Sequence, residues 1–304
     1  MIFSSGAGTH VPAPMNQTKK LPGTKMTQQH DEAVQTAREY YNSEDADNFY
    51  YHVWGGEDIH IGMYQSDSEP IADASVRTVQ HMASKLKNID HNSRVLDVGA
   101  GYGGSMRYLA RTVGCKCVAL NLSETENERD RQKNREQGLD HLIEVVDGDF
   151  TKLPYEDNSF DVVWSQDAFL HSGDREKVFS EAVRVLKPGG ELIFTDPMQT
   201  DNAPTDKLQP IYDRIHLSSL GSPGFYRAQA QKHGMQELEF EEMTHQLVNH
   251  YSRVRQELID REGELKEKNI VSAEYVERMK KGLGHWIDGG RNGYLTWGIL
   301  HFRK

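Results

Sequence analysis

The chemistry-bearing residues of this chain fall into three groups. The first is Asp97-Val-Gly-Ala-Gly-Tyr-Gly-Gly104, where glycines at 99, 101, 103 and 104 follow a carboxylate. Glycines let a backbone turn sharply and approach a ligand, since no Cβ intervenes. Gly99, Gly101 and Gly104 fit the dinucleotide spacing G-x-G-x-x-G, and Gly99, Gly101 and Gly103 fit G-x-G-x-G equally well. Asp97 would repel a pyrophosphate but suits a ligand carrying an ammonium and a sulfonium. The second group ends in His171, in Gln166-Asp-Ala-Phe-Leu-His171. An imidazole with its ordinary pKa near neutrality can accept a proton from an attacking amine. A purely structural hydrogen bond is the competing reading. The third is the aromatic run from Asn48 to Tyr64, with Tyr50, Tyr51, Trp54 and Tyr64. Ring faces attract a fixed cation and can form a lid that excludes water, or they can simply plug a core. Arg214 and Arg291 are the cations available for a carboxylate partner.

Regular elements must hold these groups. Val95, Leu96 and Val98 read as a buried strand that runs into the glycines, and Met106, Leu109, Ala110 and Val113 open a helix behind them. Together they make a nucleotide-type site at a helix N-terminus. Further strands read at 115–120, 142–146, 160–165 and 191–195, with helices between them. Ser123-Glu-Thr-Glu126 is a capping box, and Lys187-Pro-Gly-Gly190 ends the helix that Asp174 begins. Alternating strands and helices imply a parallel sheet with helices on both faces, whose ligands gather at the carboxyl ends of the strands. Asp97, Asn121, Asp149, Phe150, Gln166 and His171 all stand at such ends. Asn121 lies about 20 residues beyond the glycines, where an acid would otherwise meet ribose hydroxyls. Beyond residue 200 the pattern gives helices at 225–233, 251–268 and 273–287, strands at 236–248 and 294–302, and an antiparallel end to the sheet.

Composition narrows the function. The chain has 304 residues and a formal net charge of −11, which argues against a nucleic-acid or membrane-surface partner. Cys115 and Cys117 project from one face of a strand, too constrained for a disulfide and too few for a metal site. Buried thiols point to a reducing, cytoplasmic setting. No apolar run reaches membrane-spanning length. Residues 1–28 read as a disordered tail, 29–89 as a lid with helices, 90–200 as the cofactor-binding core, and 201–304 as a substrate-binding insertion with the final strands.

Asp97-Val-Gly-Ala-Gly-Tyr-Gly, Asp149-Phe150, Ser159-Phe-Asp-Val-Val-Trp164 and Leu186-Lys-Pro-Gly-Gly190 resemble, in order, the motifs of class I S-adenosylmethionine-dependent methyltransferases. That resemblance implies a Rossmann-like α/β fold with S-adenosylmethionine as cofactor. It implies contacts from Asp97, Gly99 and Gly101 to the methionine part, from Asn121 to the ribose, and from Asp149 and Phe150 to the adenine. Leu122, Gln166, Tyr64 and Gln65 complete the implied cofactor set. A narrower likeness covers the chain from about residue 40. Trp54-Gly-Gly-Glu-Asp-Ile-His-Ile-Gly62, Gln166–His171 and Gly293-Tyr-Leu-Thr-Trp-Gly298 resemble the betaine-forming sarcosine/dimethylglycine N-methyltransferases. The phosphoethanolamine N-methyltransferases are more distantly similar. The likeness implies a tyrosine, Tyr50 or Tyr51, latching onto His171 over a substrate amine. It implies an acceptor site drawn from Tyr51, Trp54, Tyr212 and Arg291. Pro197 and His216 stand where the phosphobase enzymes carry phosphate ligands, which favours a carboxylate acceptor.

The expectation is therefore an S-adenosylmethionine-dependent N-methyltransferase acting on N-methylglycines, without metal, nucleic acid or membrane; a homodimer is compatible with it. The rivals are a methyltransferase for a phosphobase or sterol-like acceptor, a nicotinamide-dependent oxidoreductase, and a silent binding protein on the same fold.

Overall fold

In a computed structural model, which describes residues 34–304, strand β1 (Arg94–Val98) lies parallel between β2 (Lys116–Asn121) and β4 (Phe160–Gln166). β3 (Ile143–Asp147) and β5 (Leu186–Thr195) extend the parallel set outward. β9 (Gly298–Arg303) then runs antiparallel to β5, and β7 (Gln236–Glu242) antiparallel to β9. The seven-stranded order is β3-β2-β1-β4-β5-β9-β7. Strand order reverses between β1 and β4, so the crevice at their carboxyl ends is the site the topology provides. The expected tail, residues 1–28, lies outside the described residues.

Alternation along the strands builds two cores. Val95 faces one hydrophobic cluster and its neighbour Leu96 faces another, as do Cys117 and Val118. The first core carries helices α3 (Ile71–Lys85), α4 (Gly104–Thr112), α9 (Thr244–Asp260) and α11 (Ala273–Arg291). The second carries α6 (Arg175–Val185) and α8 (Pro223–Lys232). Cys115 and Cys117 are buried and free, with sulfurs 3.7 Å apart.

The aromatic run is helical over its first part, and three expectations about later elements are corrected. Ser43 caps α2 (Glu44–Phe49), which widens into a π-type turn over Tyr50–Trp54. The strand expected over 236–248 stops at Glu242, because Glu242 accepts from Thr244 N–H (2.8 Å) and α9 starts there. Leu247, Tyr251, Val254 and Leu258 serve helical burial as readily as the start of the run serves alternation. The helix expected over 251–268 breaks at Arg261 into α9 and α10 (Glu262–Glu267). The final strand divides into β8 (Leu295–Thr296), which pairs with β6 (Met198–Gln199), and β9.

Candidate active site

The glycine turn leaves β1 against β2, with the N–H groups of Gly99 and Ala100 both donating to Leu120 O (2.8 and 3.1 Å). Gly99 has φ +86°, and a Cβ there would lie 2.3 Å from Ala168 Cβ. Gly101 has φ +54°, with its Cβ position 2.9 Å from the Ile59 side chain. Gly103 and Gly104 back onto the carboxylates of Asp130 and Asp58 instead. The cavity above the turn is lined by Gly99 and Gly101, with Asn121, Leu122, Asp149, Phe150 and Gln166. This leaves the later glycines to packing, which is why two spacings fitted the sequence equally well.

Asp97 Oδ1, Glu126 Oε1 and Gln166 Nε2 are among the buried polar atoms of this region that lack a hydrogen-bond partner among the described residues. Burial, reinforced by the carboxylates of Asp130 and Asp58, pushes the Asp97 carboxyl well above its usual range. Glu126 Oε2 accepts from Asn121 Nδ2 (2.8 Å), and burial lifts its carboxyl to about 8. Gln166 Oε1 is held by Ser105 Oγ (2.5 Å) and Trp164 Nε1 (3.0 Å), which leaves its amide nitrogen free. An acid beneath a glycine turn, an acid at the ribose position and a spare amide donor fit an amino-acid nucleoside such as S-adenosylmethionine. Glu126 was missed as a site residue because its place in a capping box already accounted for it.

A second cavity, about 520 Å³, adjoins the first and lies under the N-terminal segment. Ala37, Tyr41, Ile59, Asp167 and His171 line both, so they mark where a group would pass between the two. His171 closes a single turn, Phe169–His171, pinned by Asp196. Asp196 Oδ1 accepts from Leu170 N–H (2.9 Å) and Oδ2 from Tyr226 O–H (2.6 Å). Burial and the neighbouring Asp167 push the Asp196 carboxyl up to about 7. Asp167, at φ +52°, accepts from Ile61 N–H (2.7 Å) and from Trp297 Nε1 (2.8 Å). It thereby ties the second half of the aromatic run to the start of β9. Arg107 is fully buried and pairs with Asp130 and Glu57 (2.6 Å each), which fixes the same segment from the other side.

The latch differs from the expectation. His171 Nε2 meets the hydroxyl of Tyr41 (2.9 Å), which belongs to a helix, α1, described over residues 34–41. Tyr50 lies behind Tyr41, ring centroids 5.6 Å apart, and its hydroxyl is 3.5 Å from that of Tyr40. It lines the second cavity, as does Trp54. Tyr51 is 36 % exposed beneath the Arg129 guanidinium and lines neither cavity, because the π-type turn rotates it outward. His171 also departs from the near-neutral base expected. Burial, with the Arg214 charge beside it, lowers it to about 4, so the imidazole is neutral at physiological pH.

Five more expected residues do not line either cavity; Asp97 is buried beneath the glycine turn. Tyr64 faces α9, its hydroxyl on His250 Nδ1 (3.0 Å). Gln65 is exposed, its N–H on Glu69 (2.8 Å). Tyr212 donates to Gln199 Oε1 (2.8 Å), on the side of α7 (Thr205–Arg214) away from the cavity. Arg291 ends α11 and is exposed. Arg214 does line the second cavity, and so does His216. Arg214 forms no ion pair among the described residues, its Nη1 is buried without a partner, and its Nη2 rests 2.9 Å from Met279 Sδ. A half-buried guanidinium in a cavity wall, with no carboxylate partner among the described residues, can receive an anion.

This fold and this pair of cavities define a class I S-adenosylmethionine-dependent methyltransferase. Residues 96–194 match the methyltransferase domain family. The chain is 64 % identical over 278 residues to a sarcosine/dimethylglycine N-methyltransferase of Halorhodospira halochloris, covering 91 % of this chain and 99 % of that one. It is 56 % identical to the Aphanothece halophytica protein of the same name, covering 90 % and 98 %. A crystal structure of a Galdieria sulphuraria methyltransferase superposes with a TM-score of 0.83 at 47 % identity, over 87 % of this chain and 98 % of that one. The chain belongs to the sarcosine/dimethylglycine N-methyltransferase family. Among the described residues, no helix is long and apolar enough to cross a membrane.

Proposed function

We propose that this enzyme methylates the amino nitrogen of sarcosine and dimethylglycine, giving glycine betaine. The observation that carries the choice of acceptor is Arg214, an unpaired guanidinium in the wall of an aromatic-lined cavity that opens toward the cofactor site. It supplies the counter-charge for a carboxylate, and Tyr40, Tyr50, Trp54, Tyr251 and Trp286 supply ring faces for a nitrogen that becomes a fixed cation.

When bound, S-adenosylmethionine supplies an electrophilic sulfonium methyl. Asp97, Glu126 and Gln166 are the residues that would hold its polar groups, beside Gly99 and Gly101. The chain's own work is to align the amine and exclude water. Arg214 fixes the carboxylate end. The burial and positive charge that keep His171 neutral act equally on a substrate ammonium and favour its uncharged, nucleophilic form. His171 is a positioning group that holds Tyr41, and with it α1, across the junction. Its low basicity makes it a poor proton sink. The buried free thiols of Cys115 and Cys117 suit a reducing compartment, which supports a cytoplasmic location.

Calorimetric titration with S-adenosylmethionine, followed by mass spectrometry of products from sarcosine, dimethylglycine and phosphoethanolamine, tests this reading. Methylated N-methylglycines are the expected products. A product from phosphoethanolamine alone would overturn the acceptor assignment. Arg214→Ala should raise KM for dimethylglycine, and an unchanged KM would remove Arg214 from the site.

A further inference from the structure

The Arg214 guanidinium lies directly against a glycine on the facing helix, in the wall of the acceptor cavity. An ideal Cβ on Gly282, within α11, would lie 1.5 Å from Arg214 Nη1 and 2.7 Å from Cζ. No guanidinium could stay where it is beside such a side chain. Gly282 is buried in the middle of a 19-residue helix, where glycine is the least favoured residue after proline. Its backbone needs no left-handed conformation, since it is absent from the positive-φ glycines. The cost in helix propensity therefore has a single local return, which is room for the guanidinium. Gly284, two residues on, provides the contrast, because a Cβ there would meet nothing within 4 Å.

We infer that Gly282 is a specificity-determining residue: it is the socket that seats Arg214 against Met279 and so selects acceptors bearing a carboxylate. The inference rests on Arg214 being the carboxylate ligand. Neither residue need touch the reacting nitrogen. A side chain at 282 would swing the cation out of the cavity while leaving the cofactor cavity, the Tyr41–His171 junction and the sheet in place.

The test compares Gly282→Ala, Arg214→Ala, the double variant and Gly284→Ala, each with cofactor affinity and thermal melting as controls for folding. Gly282→Ala should raise KM for dimethylglycine about 10- to 100-fold, the scale of a lost charge-assisted pair, with kcat less affected. It should also lower the preference for dimethylglycine over dimethylethanolamine, a tertiary amine without a carboxylate. The double variant should match Arg214→Ala, because the glycine acts only through the arginine. Gly284→Ala should bind and turn over like the parent.

If Arg214→Ala raises KM while folded Gly282→Ala does not, the socket is refuted and the carboxylate ligand stands. If Arg214→Ala itself leaves KM and the preference unchanged, the acceptor reading fails and the socket with it. Additive losses in the double variant would also refute the socket. Should Gly282→Ala melt out, Gly282→Ser in the Arg214→Ala background decides the matter. With the guanidinium gone, the added side chain should fold and add no further loss, and a further loss of affinity overturns the inference.

Discussion

Replacing Tyr41 with Phe removes one oxygen from the junction of the two cavities. That hydroxyl is the described partner of His171 Nε2, at 2.9 Å, and the two rings meet edge-on with centroids 5.5 Å apart. The ring contact should survive in the variant. What is lost is a part-buried hydrogen bond where the two cavities meet, and leaving the imidazole nitrogen without it costs about 1–3 kcal/mol. α1 should stay docked, because Asn42 Nδ2 still donates to Glu124 Oε2 (2.8 Å) and Asn42 Oδ1 still accepts from Ser123 Oγ (2.7 Å). The exposed Arg38–Glu124 pair adds little. The loss should therefore appear in the alignment of acceptor and cofactor, as a fall of about 5- to 150-fold in kcat/KM for dimethylglycine. Cofactor affinity, measured by calorimetry, should change far less. Tyr50→Phe is the comparison: its hydroxyl is 3.5 Å from that of Tyr40, so it should cost less. An unchanged kcat/KM for Tyr41→Phe, or a larger fall for Tyr50→Phe, would refute the assignment of the latch. The pH profile gives a second reading. An imidazole at its ordinary value would bend the profile near pH 6.5, whereas His171, held at about 4, should itself add no bend there. Because its folded-state pKa is depressed, its contribution to stability is full above about 6.5 and is lost as pH falls toward 4.

Three further outcomes follow from the cofactor side. Glu126, raised to about 8, should lose its proton when ribose hydroxyls donate to it, so cofactor affinity should rise with pH up to about 8 and then level off. Calorimetry in buffers of differing ionisation enthalpy would detect the released proton, and Glu126→Gln should abolish both effects. Gly99→Ala places a Cβ 2.3 Å from that of Ala168, so it should lower cofactor affinity at least tenfold; parent-like binding would show that the turn can shift without penalty. Arg107→Met strands the fully buried Asp130 carboxylate and frees Glu57, and should destabilise the fold by about 3–5 kcal/mol in denaturant titrations. A loss under 1 kcal/mol would mean that Asp130 takes up a proton at no cost.

Much of the cofactor half was legible in the residues. Strand ends are local features, set by apolar runs that stop at glycine, aspartate or asparagine. A parallel sheet brings its carboxyl ends together whatever the side chains around it do. Gly99, Gly101, Asn121, Leu122, Asp149, Phe150 and Gln166 could therefore be named before any coordinates and do line one cavity. The acceptor half was less legible, because its residues come from α1, the π-type turn, α7 and α11, which meet only through packing. Periodicity gives each helix a buried face but not which of its residues face a shared cavity. Tyr51 and Tyr50 were expected where Tyr41 stands, because one turn of helix decides which ring points inward.

The sequence by itself determined the parallel core of the sheet, the glycine turn and the order of the strand ends, because those follow from local chain chemistry and the crossover rule for parallel strands. The kind of cofactor was read from the likeness of those motifs to a known family. Tertiary structure alone decided that His171 is neutral, that Glu126 stands behind Asn121, and that Arg214 lies unpaired in a space left by Gly282. Each of these depends on burial or on a neighbour distant in the chain. Desolvation and charge act through space, and no spacing along the sequence records them.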